Sequence, residues 1–257
     1  MASIHPSAIV DPAAVLAPDV TVGPYCIIGP RVEIGAGTVL RSHVVVDGNT
    51  RIGRDCTLWQ FASIGGQTQD LKFKGGHPRV EIGDRNTFRE YATVNAATFE
   101  DGVTRIGNGN HIMAYCHVAH DCILGDEVIM ANAATLAGHV IVEDQAIIGG
   151  LTGVHQFVKV GRMSITGGCS KIVKDVPPFM MADGNPLEIH GLNLIGLKRK
   201  QVADEEIEGL RYAYKVFYRE NLSTRQALER LELEGRLTGV VAELATFIRG
   251  STRGITH

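Results

Sequence analysis

The sequence predicts a parallel β-helix built from hexapeptide repeats, closed by a smaller α-helical domain. Three observations carry this reading. Aliphatic residues recur at every sixth position, 30 glycines accompany only 6% aromatic residues in a chain of 257, and the spacing turns helical near the C-terminus. A sustained period of six fits neither the 3.6 of an amphipathic helix nor the 2 of a simple strand. It fits a coil in which each hexapeptide makes one short strand and one corner, with three hexapeptides to a turn. The division falls at 1–185 for the β-helix and 186–257 for the helical part.

The repeat starts at once, with Ile4, Val10, Leu16, Val22, Ile28, Ile34, Leu40, Val46, Ile52, Leu58 and Ile64, and glycine often follows the aliphatic, as in Val22-Gly23 and Ile34-Gly35. After Ile64 the register breaks, and Gly65 to Pro78 is too long for a corner, so a projecting loop is expected. The period resumes at Ile82, Phe88 and Val94 and pauses again from Ala97 to Thr104. It then runs unbroken from Ile106 through Ile112, Val118, Leu124, Met130, Leu136, Val142, Ile148 and Val154 to Val160. The paired prolines Pro177 and Pro178 are expected to end it, because proline cannot continue a sheet ladder. Beyond them, helical spacing is read over Leu192 to Lys200, Asp204 to Glu220, a third segment opening at Ser223 with a Ser-x-x-Gln capping box, and Val240 to Ile248.

Composition narrows the function. A net charge of −3 argues against a general nucleic-acid binder, and no apolar run approaches the ~20 residues that span a bilayer. The first residues form neither a basic leader nor a secretory segment, so a cytoplasmic protein is expected. Five cysteines without C-x-x-C pairing suggest neither a disulfide framework nor a zinc ribbon. Cys26, Cys56, Cys116 and Cys122 each fall where small residues recur, and are read as core residues.

The chemistry is expected in the unbroken stretch, where His117, His120, His139 and His155 stand at variable positions of the repeat. Residues eighteen apart should stack about one strand spacing, ~4.8 Å, from each other. His120 then lies next to Gly138, His117 next to Thr135 and then Gly153, and His155 next to Ala137 and Ala119. An imidazole beside Asp121 can act as a general base, and a glycine N–H on the next coil can face a developing oxyanion. A metal site is the competing reading, since imidazoles of neighbouring coils or subunits could hold Zn²⁺.

Several strings are more specific than the period. They are Gln69-Asp70-Leu71-Lys72, His117-Val118-Ala119-His120-Asp121-Cys122, Leu136-Ala137-Gly138-His139-Val140, Val154-His155-Gln156-Phe157, Gly167-Gly168-Cys169-Ser170 and Ser251-Thr252-Arg253-Gly254. Over nearly its whole length the chain resembles the UDP-N-acetylglucosamine acyltransferases, which open lipid A biosynthesis. The resemblance implies a left-handed β-helix, a homotrimer with sites between subunits, and no metal or other cofactor. It implies transfer of a (3R)-3-hydroxyacyl chain from acyl carrier protein to the 3-position of the UDP-sugar. By resemblance His120 is the base, Asp121 its support and Gly138 the oxyanion donor. Asp70 and Lys72 match sugar-nucleotide and substrate-positioning residues, while His117, His139 and His155 line the cleft. Gln156, Asn193 and Arg199 match nucleotide or phosphate contacts, and Gly168 the position that limits acyl length.

One departure qualifies this. Asn95-Ala96-Ala97-Thr98 stands where the family commonly has His-Arg-Gly-Thr, and some relatives lacking that motif prefer a 3-amino sugar and form an amide. A γ-type zinc hydratase is the reading from another class, but the His-x4-His pair sought for it is missing. Arg162, Lys171, Lys174, Lys198, Arg199 and Lys200 gather basic charge near the end of the repeat, where an acidic carrier protein would be steered.

Overall fold

The computed structural model describes residues 1–257, and the hexapeptide period is its organising rule. Short strands stack into three faces of eleven, nine and eight strands, parallel except for the last strand of the first, and each strand of the repeat pairs with its counterparts one coil before and one coil after. The register is eighteen residues, as in Ser3 on Thr21 and His117 on Thr135. Face one carries His111–Ile112, face two His117–Val118 and face three Ile123–Leu124. The aliphatics from Ile106 to Val160 all point inward, none more than 3% exposed, and the four cysteines read as core are fully buried.

Two excursions interrupt the register. Thirty residues separate Ser63 from its partner Thr93, and twenty-four separate Thr93 from His117. The segments 67–78 and 96–102 leave the coil and return to it, and both emerge where face two ends.

Glycine works differently here from a simple turn residue. Most corners place a non-glycine residue at positive φ, among them Asp121 at 60°, His139 at 61° and Phe157 at 65°. Gly23 and Gly35 instead lie where a Cβ would meet the backbone of the next coil at 2.8 and 2.7 Å. Glycine after the aliphatic therefore permits coil-on-coil approach, while the left-handed turn is borne by side-chain-bearing residues.

The end of the helix departs from expectation. The chain pairs Val160 with Val176 on face three, passes Pro177-Pro178 at a corner, and then adds Met180–Asp183 to face one beside Ile165. The prolines end one face only, because at a corner the ladder needs no N–H from them. An antiparallel strand, Glu188–Leu192, follows; the position 186 drawn from the sequence falls in the turn of this hairpin. Four helices complete the chain: α1 (Leu194–Arg199), α2 (Asp204–Tyr218), α3 (Thr224–Leu233) and α4 (Gly239–Arg249). Ser223 closes the expected capping box with Gln226. The helices are tied back to the β-helix by a bidentate pair between Arg162 and Glu243, at 2.7 and 2.8 Å, and by Ser251, whose hydroxyl donates to Asp175 at 2.6 Å. No helix is long and apolar enough to cross a membrane.

Candidate active site

The corner between faces two and three gathers the chemistry. On one coil it presents His120 and Asp121, on the next Gly138 and His139, and on the third Phe157. The Nδ1 of His120 lies 2.8 Å from Asp121 Oδ2. An ionised carboxylate only accepts, so Nδ1 carries the ring proton and donates it, which leaves the lone pair on Nε2. That edge of the ring faces Gly138, where a Cβ would sit 2.4 Å from Nε2. Any side chain at 138 would displace the imidazole. The N–H of Gly138 makes no hydrogen bond within the chain, as is common for the first residue of these corners, and only here does such a donor lie against an imidazole with no side chain between them.

The second excursion holds Asp121 from above. The N–H of Thr98 donates to Asp121 Oδ2 at 3.1 Å, and the Asp121 N–H donates to Thr104 Oγ1 at 2.8 Å. Gly102, just before the returning strand Val103–Ile106, passes so close that a Cβ would lie 3.1 Å from Asp121 Oδ1. Thr98 Oγ1 also lies 3.0 Å from His120 Nδ1. Thr98, Thr104 and Thr68 are site residues that the repeat pattern did not single out; the signal was their place on or beside the two excursions.

The remaining histidines differ in setting. His139 meets His120 edge-on at 5.2 Å and stacks on Phe157 at 4.6 Å. His117 stands on the outer side of face two with Nδ1 2.7 Å from Thr93 Oγ1. Burial, and then the neighbouring His120, hold its pKa below the usual imidazole value, so it is a neutral polar lining rather than a charge. His155 and Gln156 are exposed two coils on from His120, and the Arg253 guanidinium of the C-terminal tail reaches His155 Nδ1 at 3.3 Å. Burial raises the Cys122 thiol beneath the corner to about 12, which leaves it inert.

His120, Asp121 and His139 also bring ligand-type atoms within 4.8 Å of one another, the spacing of a metal triad. Yet Asp121 Oδ2 already accepts from both His120 Nδ1 and the Thr98 N–H, and it lies 3.8 Å from His139 Nε2. A carboxylate that orients a neighbouring imidazole is a support for a base.

The other expected site residues are spread over the surface. Asp70 lies on the first excursion, its Oδ1 accepting from the Lys72 N–H at 2.9 Å, while the Lys72 side chain is exposed. Gly168 stands at the corner before face two, three coils beyond His117, and the outward residues between are the small Thr135 and Gly153. Asn193 and Arg199 are not brought to His120 within one chain. Asn193 caps α1 by accepting from Gly196 N at 3.0 Å and donates to Met163 O at 2.9 Å. With Arg199 it lines a cavity of about 570 Å³ over face one and its far corner, together with Arg85, His111, Ile129 and Ile147.

A hexapeptide-repeat β-helix whose corner sets a carboxylate-held imidazole against a bare backbone N–H defines a transferase of the hexapeptide class. The repeats themselves match the bacterial transferase hexapeptide family over residues 1–36 and 104–138, and residues 175–256 match the second domain of UDP-N-acetylglucosamine O-acyltransferase. The chain is 48% identical, over the full length of both, to an acyl-[acyl-carrier-protein]–UDP-N-acetylglucosamine O-acyltransferase of Verminephrobacter eiseniae. Among solved structures it superposes on LpxA from Acinetobacter baumannii with a TM-score of 0.95 at 47% identity, covering 99% of each chain. It superposes equally well, at 0.95 and 44% identity over 99% of each chain, on the UDP-N-acetylglucosamine O-acyltransferase of Moraxella catarrhalis. The chain belongs to the UDP-N-acetylglucosamine O-acyltransferase family, and its β-helix is left-handed.

Proposed function

We propose that this protein transfers a (3R)-3-hydroxyacyl chain from acyl carrier protein to the 3-hydroxyl of UDP-N-acetylglucosamine, the opening reaction of lipid A biosynthesis in the cytoplasm. The observation that carries the reading is His120 held by Asp121 with its free nitrogen against Gly138. In the reaction Nε2 takes the proton of the 3-hydroxyl as its oxygen attacks the thioester carbonyl. The tetrahedral oxyanion forms against the Gly138 N–H. Collapse breaks the carbon–sulfur bond, and the imidazolium returns the proton to the departing thiolate. Asp121 keeps the proton on Nδ1 throughout and stabilises the transient charge. No step requires a metal.

The surface supports a set of substrate positions. Asp70 and Lys72 on the first excursion address the sugar nucleotide; the acyl chain runs over the outer side of face two, past Thr135 and Gly153, toward Gly168, with His117, His139, His155 and Gln156 as lining. Asn193 and Arg199 complete the nucleotide contact from another subunit of a homotrimer. Two features support that assembly: these residues sit away from the dyad of their own chain, and faces one and two meet at an exposed corner of stacked rings, Tyr25, His43, Phe61, Tyr91 and Tyr115, with centroids 4.9 to 5.0 Å apart.

The test is ester formation from UDP-N-acetylglucosamine and 3-hydroxyacyl carrier protein. His120→Ala should fold normally and lower kcat by about 10² to 10⁴; near-normal turnover would remove His120 from the mechanism. Chelator treatment should leave the rate unchanged, and a loss restored by Zn²⁺ would favour the hydratase-type site. Mixed assembly of His120→Ala and Arg199→Ala subunits should regain activity that neither variant has alone, while no recovery would place both residues in the site of one chain.

A further inference from the structure

We propose that Thr98 is a positioning residue that locks His120 in its reactive orientation, and that its hydroxyl contact with Thr68 ties this orientation to the substrate loop. The proposal rests on His120 being the base.

Both excursions of the β-helix converge on this one imidazole. Thr98 belongs to the second and is 2% exposed; Thr68 belongs to the first and is 5% exposed. Thr98 uses two groups on the dyad, its N–H on Asp121 Oδ2 at 3.1 Å and its hydroxyl oxygen 3.0 Å from His120 Nδ1. The proton on Nδ1 therefore has two acceptors, the carboxylate and the hydroxyl. The only other partner of the Thr98 hydroxyl is Thr68 Oγ1 at 3.1 Å, and Thr68 in turn accepts the Asp70 N–H at 3.1 Å. A buried hydroxyl must place its hydrogen bonds somewhere, and this one spends all of them between the base and the loop that bears Asp70 and Lys72.

The consequence appears when Nε2 takes a proton. The ring becomes a cation, and hydrogen bonds from a cationic donor are roughly twice as strong as neutral ones, so the second acceptor stabilises the protonated ring more than the neutral one. The charged and titratable groups around it are Asp121 on its own corner, His139 from the next coil and His117 from the strand before it. Glu100, on the same excursion as Thr98, is turned to the His77 N–H. Thr98 supplies an uncharged acceptor to this set. The link to Thr68 means that a shift of the loop bearing Asp70 and Lys72 also loosens the second acceptor of the base.

The experiment is a pH series of steady-state kinetics on the full-length protein carrying Thr98→Val, Thr98→Ser or Thr68→Val, with UDP-N-acetylglucosamine and 3-hydroxyacyl carrier protein as substrates. Thr98→Val should lower kcat about tenfold, the worth of a hydrogen bond to a charged group, and move the acid limb of kcat/KM to lower pH. KM for the donor should stay unchanged, and Thr98→Ser should restore both rate and limb. Thr68→Val should raise KM for the sugar nucleotide and, by freeing the Thr98 hydroxyl, move the limb in the same direction as Thr98→Val but by less; a limb left in place would remove the link between loop and base. Wild-type kcat and limb in Thr98→Val, or equal losses in the valine and serine variants, would overturn the proposal. If the valine variant does not fold, Thr98→Ala is read by the same criteria. His120→Ala alongside separates the two ideas: near-normal turnover there removes the base itself, whereas a His120→Ala enzyme slowed by about 10² or more beside an unaffected Thr98→Val removes only the positioning role.

Discussion

The imidazole of His120 rests on the backbone of Gly138, so closely that a Cβ at 138 would lie 2.3 Å from Cε1 and 2.4 Å from Nε2. Gly138 is not among the residues at positive φ, so alanine there meets no backbone strain and its effect falls on the ring alone. Gly138→Ala should therefore push the imidazole from its place and lower kcat by about 10², the cost of misplacing a reacting group by about an ångström. Thermal stability should change little. Kinetics and a melting curve on the same preparation check this, and full activity would show that the ring can work from another position.

This contact was legible in the sequence, because a strict eighteen-residue coil puts residue 120 beside 138 once the period is seen. Thr98 and Thr68 were not legible in the same way. They sit on excursions that break the register, and where the period stops no rule says which side chain returns to the corner. The left-handed backbone at Asp121 and His139 was hidden too, since glycine is the usual mark of positive φ and the glycines here serve coil stacking. Asn193 and Arg199 show a further limit: a motif can name a residue without placing it in the same chain's site.

His117 makes acid stability a second test. Its pKa is depressed by burial and by His120, so below the unfolded value near 6.5 the unfolded chain binds a proton that the folded chain refuses. Stability supplied by this group is complete above that pH and falls as the pH drops through it toward the folded value. His117→Gln should flatten the acid side of the stability curve, measured by denaturant midpoints between pH 7 and about 5. A wild-type slope in the variant would assign the acid sensitivity to other groups.

The basic patch read from the sequence is smaller in the folded protein. Arg162 is held bidentately by Glu243 and Lys200 pairs with Glu127, so Lys171, Lys174, Lys198 and Arg199 are the exposed charges left without an ion pair. Lys171→Glu with Lys198→Glu should raise KM for the acidic carrier protein and weaken its dependence on salt. Arg162→Glu should instead destabilise the junction between the β-helix and α4. Unaltered KM at low ionic strength in the first variant would move carrier docking to another surface.

The acceptor atom is the last question, and the buried motif Asn95-Ala96-Ala97 bears on it indirectly. The three residues are 8, 5 and 0% exposed, so none reaches a bound sugar through solvent within this chain. Asn95 donates its side-chain amide to Gln67 O at 3.1 Å and Gly66 O at 3.4 Å, fixing the take-off of the loop that carries Asp70 and Lys72, and leaves its own Oδ1 buried without a partner. Influence on the sugar must pass through that loop. Replacing the three by His-Arg-Gly would force a guanidinium into the place of the Ala96 methyl, and an unpaired buried charge costs several kcal/mol. The substituted protein should thus melt earlier and show a raised KM for the sugar nucleotide. The unaltered protein should favour the 3-hydroxyl sugar over its 3-amino analogue in kcat/KM, because a carboxylate-held base is what a hydroxyl nucleophile needs and a neutral amine does not. Side-by-side assays with one carrier-bound acyl donor decide it, and a higher kcat/KM for the amine would make the product an amide.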